Sequence, residues 1–195
     1  DRAIMPGTQG GPFMHAIAAK AVGFFEALQP EFKTYQQQII TNAQTLAKAL
    51  QGFGYRIVTG GTDNHLFIVD VRSKNINGLQ ADKALEQAGI IVSRSCIPFD
   101  PEKPWITSGI RLGTPALTTR GMKQEQMVEV AKLIDTVLSN HDNQKVLKLA
   151  TFSRKIIASE ATESAIYQKA EQFALEVSKN KKTSFSPLLI LNIVF

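Results

Sequence analysis

One cysteine, Cys96, is all the sequence contains. That excludes an internal disulfide framework and any cysteine-rich zinc site, and it fits a reducing compartment. Long apolar runs are missing too. The longest, "SPLLILNIVF" at 186–195, is about half of the ~20 residues that a bilayer-spanning helix needs, and "DRAIMPGTQGG" at the front lacks the apolar core of a signal peptide. Charge is scattered. The formal net charge of +5 comes from dispersed lysines rather than a block, apart from "KNKK" at 179–182. Phosphate binding needs clustered charge, so an ordinary basic enzyme surface is favoured over a nucleic-acid binder. The expectations are a cytoplasmic chain with neither nucleic acid nor membrane as partner, and no metal site.

What is present is enough for a domain: 195 residues, 44% of them hydrophobic. "GPFMHAIAAKAVGFFEALQP" spaces Phe13, Ile17, Ala21, Phe24 and Leu28 as one helical face, with Pro12 at a first-turn position and Pro30 beyond the end. A second helix is predicted from Glu31 to about Gln51 through Phe32, Tyr35, Ile39, Leu46 and Leu50, stopped by the glycines of "GFGY".

Short β-type runs follow: "YRIVTGG", "HLFIVDV", "GIIVSRS" and "GIRLG". Between the second and third, "NGLQADKALEQAG" has helical spacing and a closing Gly89; after the fourth comes "KQEQMVEVAKLIDTVLSN", also helical. Helices packed on a small mixed or antiparallel sheet, an α+β fold, is the economical arrangement. Further helices are expected over 142–177, and an aggregation-prone tail after 179.

Three stretches carry polar groups worth weighing. Gly10 and Gly11 precede the first helix, where bare amides and the helix dipole suit an anion such as a phosphate; equally, two glycines let a chain turn into a helix. Asp63, Asn64 and His65 stand together at a strand start, yet neighbours in a strand point to opposite faces, so they read as a turn rather than a metal site. His15 and His141 read as structural or surface residues. Arg111, between Gly109 and Gly113 in "TSGIRLGTPA", is always charged and can fork onto a carboxylate that the glycines leave room to reach. From the residues alone, a structural ion pair is as good an account.

Four segments, "PGTQGGPFMHAIAAKAV", "QPEFKTYQQQ", "GGTDNHLFIVD" and "PFDPEKPWITSGIRLGTPALTTRG", occur in the order and spacing of serine hydroxymethyltransferases. The chain resembles that family from about residue 5 to about residue 140. The resemblance implies a fold-type I pyridoxal-phosphate enzyme that moves a one-carbon unit between serine and tetrahydrofolate and yields glycine. It implies that Arg111 binds the substrate carboxylate, that Gly10 and Gly11 reach the cofactor phosphate across a homodimer interface, and that Ser95 sits where an asparagine orients the folate ring. Ser93 likewise replaces an asparagine, and a hydroxyl offers less than an amide's two donors and one acceptor.

The family's threonine-rich lysine motif, which holds the cofactor, is not found in this sequence. The resemblance therefore implies a C-terminal portion: 1–28, the end of the cofactor domain and first connecting helix; 29–54, a second connecting helix; 55–140, a small α+β domain; 141–178, C-terminal helices; 179–195, a divergent tail. Such a chain is expected to have no catalytic residue of its own, to be inactive alone, and to work, if at all, as a homodimer or with a separate N-terminal half. The alternative expectation is a non-catalytic module that binds a protein partner through its first two helices.

Overall fold

Alternation along "LFIVD" and "GIRLG" sets the sheet. In the computed structural model, which describes residues 1–151 and 153, β1 (Arg56–Ile57), β2 (Leu66–Asp70), β3 (Ser93–Ser95) and β4 (Gly109–Gly113) form one antiparallel sheet in the order β1-β2-β4-β3. Phe67 and Val69 of β2 and Ile110 and Leu112 of β4 are buried on one face. The residues between them, Ile68 and Arg111, therefore point to the other face.

Helices cover the buried face. α2 (Pro30–Gly52), α3 (Gly78–Gln87) and α5 (Gln124–Ser139) contribute Leu46, Leu50, Ala84, Leu85, Met127, Ile134 and Val137 to a single core cluster with the strands. α3 starts at a capping box: Asn77 accepts from the Gln80 amide while the Gln80 side chain accepts from the Asn77 amide. It ends as expected at Gly89, whose φ of 75° closes the last turn. A short helix unforeseen in the sequence, α4 (Pro115–Thr119), follows β4 directly. Asn42, fully buried on α2, fixes it in place, donating to Thr118 Oγ1 and to the Met122 carbonyl at 2.9 Å each. Thr114 Oγ1 donates to the Ile39 carbonyl at 2.8 Å, so the end of β4 is tied to the same helix.

Among the described residues, 1–35 belong to one unit and 36–153 to another. In the first, α1 (Met14–Ala27) begins two residues after Pro12, with Phe13 as its N-cap, so Pro12 lies outside the helix rather than in its first turn. The apolar spacing holds but its burial does not: no residue of α1 is buried, and Phe24 and Leu28 are 70% and 82% exposed. Residues 144–151 are helical and bring Leu147 and Ala150 into the core of the second unit. The expected helices beyond residue 153 and the tail over 179–195 lie outside the described residues.

Candidate functional site

Arg111 occupies the middle of β4, between Ile68 on β2 and Ser93 on β3. It is exposed, and among the described residues no ion pair or side-chain hydrogen bond engages it. Ser95, two residues along β3 and half-buried, shares its face of the sheet. The structure thus brings together three of the residues singled out in the sequence: Arg111, Ser93 and Ser95.

The two glycines beside Arg111 play unequal parts. A Cβ on Gly113 would make ordinary van der Waals contacts, the nearest with the His65 carbonyl at 3.4 Å, so a small side chain is tolerated there. A Cβ on Gly109 would strike the Ser95 carbonyl at 2.7 Å and Ile97 Cγ2 at 2.9 Å. Gly109 therefore lets β3 and the chain after it approach closely, and leaves no room for a ligand.

One carboxylate shares the face of Arg111 and was missed in the sequence. Asp70 stands opposite Gly109 on β4 and opposite Arg56 on β1. Its buried carboxylate accepts from Arg72 Nη2 at 2.7 Å, Arg72 Nε at 3.0 Å, the Arg72 amide at 3.1 Å and Arg56 Nη1 at 3.2 Å. The hydrogen bond from the Arg72 side chain, more than any other influence, holds this carboxyl below the usual carboxylate range.

A second carboxylate shapes the β3–β4 connection. Asp100 accepts from the amides of Ile97 (3.1 Å), Glu102 (3.0 Å) and Ser108 (2.9 Å), and from Ser108 Oγ at 2.6 Å. Burial alone pushes the Asp100 carboxyl up; the hydrogen bonds from Ser108, Glu102 and Ile97 outweigh it and bring it down to about 2. These bonds stabilise a connection in which Phe99 and Thr107 have φ of 54° and 62°, left-handed values that a β-branched threonine adopts only under constraint. Trp105 and Phe99 project from the same connection, Phe99 wholly exposed. The sequence signal was present, an aspartate between Phe99 and Pro101 with a serine eight residues on, but nothing local says that the two ends meet.

Asp63, Asn64 and His65 are exposed and form a turn, as their spacing indicated. Thr62 Oγ1 accepts from the Asn64 amide at 3.2 Å, and Asn64 Oδ1 accepts from the Leu66 amide at 3.0 Å. His15 is exposed, its ring 5.5 Å from that of Phe13, and His141 pairs with Asp142 at 3.1 Å after the end of α5. Among the described residues no three metal-ligating side chains come together, and no helix is long and apolar enough to cross a membrane.

Gly10 and Gly11 belong to the first unit. Both are exposed in irregular chain ahead of α1, and a Cβ on either would meet nothing within 4 Å. No side chain caps the start of α1. Open glycine amides ahead of an uncapped helix start have the donor chemistry that a phosphate takes, so these residues fit the phosphate arm of a pyridoxal cofactor.

Compared with family models, residues 1–134 match serine hydroxymethyltransferase. That span takes in the open glycines, the whole sheet and Arg111. The chain belongs to the serine hydroxymethyltransferase family.

Proposed function

We propose that this chain takes part in the reversible transfer of a one-carbon unit from serine to tetrahydrofolate, with Arg111 holding the amino acid by its carboxylate. The observation that carries the reading is an always-charged, exposed guanidinium in the middle of the sheet that no acid among the described residues engages. The family depends on pyridoxal phosphate, which when bound supplies the electron-withdrawing ring on which the serine side chain is cleaved. The chain's own part is binding and orientation. Gly10 and Gly11 present amides to the cofactor phosphate, Arg111 fixes the carboxylate, and Ser95 stands toward the folate with a single hydroxyl. No lysine of this chain is assigned to the cofactor's aldehyde, and the chain alone is inactive in this reading; it works in a homodimer or with further protein that carries that lysine.

Serine affinity of the assembled holoenzyme tests the assignment. Loss of a charge-assisted forked contact in Arg111→Ala should weaken serine binding roughly 10- to 100-fold. Unchanged affinity refutes it.

One observation favours the alternative of a partner-binding module: α1 with its flanking residues leaves Phe13, Met14, Phe24, Phe25 and Leu28 exposed, and no residue of the helix is buried. Sedimentation of the full chain separates the two. A monomer unaffected by Phe24→Glu, at concentrations where the holoenzyme is assembled, rules out self-association through this helix.

A further inference from the structure

Arg111 shares its face of the sheet with an acid that could neutralise it. Asp70 faces Gly109, which has no side chain, and Arg111 faces Ile68, so Asp70 and Arg111 occupy diagonal positions on adjacent strands. Diagonal neighbours lie about 7–8 Å apart, a gap that an arginine spans. An arginine and a buried aspartate so placed would ordinarily pair, and a paired Arg111 could not take up a ligand's carboxylate.

The hydrogen-bond count explains why they do not. A carboxylate offers about four acceptor positions. Asp70 Oδ1 accepts from the Arg72 amide and Arg72 Nε; Oδ2 accepts from Arg72 Nη2 and Arg56 Nη1. All four are filled. Asp100, whose attraction also bears on Arg72, is filled in the same way by Ile97, Glu102 and Ser108. The charged groups that bear on Asp70 are thus Arg56 from β1 and Arg72 from the 3-10 turn after β2 (Arg72–Lys74), while Arg111 occupies the diagonal position without engaging it.

From this we infer that Arg72, with Arg56, is a positioning residue for the substrate site: by saturating Asp70 it keeps Arg111 free for an external carboxylate. Arg72 touches no substrate in this role. The inference rests on the reading of Arg111 given above, but its first test does not.

That test follows the Asp70 carboxyl carbon by NMR through a pH titration of the full chain. With Arg72 present, Arg111→Ala should leave the Asp70 midpoint in place. With Arg72→Ala, Arg111 takes over the vacated oxygens, so removing Arg111 as well should move the midpoint upward. An equal shift in both backgrounds, or none in either, overturns the inference. Arg72→Gln serves for the same comparison should Arg72→Ala fail to fold. In the holoenzyme, Arg72→Ala should raise the serine KM severalfold, and adding Asp70→Asn, which removes the competing charge, should restore it. Failure of that rescue also overturns it. If instead Arg111→Ala leaves serine affinity unchanged, the proposed function falls, while the Asp70 titration still decides whether Arg72 holds Asp70 away from Arg111.

Discussion

Ser93 on β3 and Arg111 on β4 are exposed cross-strand partners on the same face of the sheet, and among the described residues neither side chain has a hydrogen bond or ion pair. Directly opposed side chains of opposite charge attract by about 0.2–1 kcal/mol. Ser93→Asp should therefore raise stability by that amount in a urea titration while abolishing measurable serine binding, because the new carboxylate occupies the guanidinium. Serine binding that survives the substitution would mean that the ligand approaches Arg111 from elsewhere.

Asp100 gives the β3–β4 connection a dependence on acid. Its folded carboxyl sits at about 2, below the ordinary 3.8. A depressed carboxyl contributes stability that is complete above the ordinary value and is lost as pH falls through the folded one. The wild-type chain should lose stability between pH 4 and 2 through this group, and Asp100→Asn should remove that part of the slope. With hydrogen bonds to a charged acceptor lost, Asp100→Asn should also cost about 1–3 kcal/mol at neutral pH. Equilibrium unfolding at several pH values measures both effects.

Gly109→Ala should cost about 1–3 kcal/mol, the usual penalty of overpacking, because the added methyl meets the Ser95 carbonyl at 2.7 Å and backbone has to move. The strand that moves carries Ser93 and Ser95, so ligand affinity should fall with stability. Gly113→Ala, with 3.4 Å to its nearest neighbour, is the control and should change stability little.

Tyr55 is buried, and its hydroxyl lies close to the Asp135 carboxylate without a hydrogen bond of good geometry to it. Burial first, and the nearby Asp135 carboxylate second, push the hydroxyl's pKa up. Asp135 is itself bound to Lys74 at 2.7 Å, and that ammonium lies 4.9 Å from the Tyr55 ring centre. Removing an unsatisfied buried hydroxyl relieves its desolvation cost, about 1–3 kcal/mol, and leaves the ring in place. Tyr55→Phe should raise the melting temperature; a lower one would show that the hydroxyl is bonded in solution.

Much of the fold was legible because the signals are local. Ile39, Leu46 and Leu50 at helical spacing, the spacing and closing Gly89 of "NGLQADKALEQAG", and the β-type run in "HLFIVDV" each need only a few residues of chain. The third β run was shorter than it read. "GIIVSRS" pairs only over Ser93–Ser95, because it is an edge strand and Ile90 and Val92 pack against the core outside the ladder. α4 was passed over although Pro115 stands at its first turn, since five residues show no periodicity. Within the site, Arg111 was legible as a lone cation beside glycines. Its freedom from an internal acid was not, because that depends on register: Arg56 and Asp70 are 14 residues apart and meet only once β1 and β2 pair. The exposure of α1 was illegible for the opposite reason. Apolar spacing shows which side of a helix wants cover, not whether cover is at hand.

Arg56 and Arg72 share the carboxylate of Asp70, and Arg111, on the same face of the sheet, has no ion-pair partner among the described residues. The surplus positive potential reaches into solvent for about one Debye length, near 8 Å at physiological salt. Small anions of any kind are therefore drawn toward β4 before any contact forms, and their arrival rate should slow as ionic strength rises. Chloride itself competes for the same field, so apparent affinities measured in concentrated salt will understate what this surface can capture.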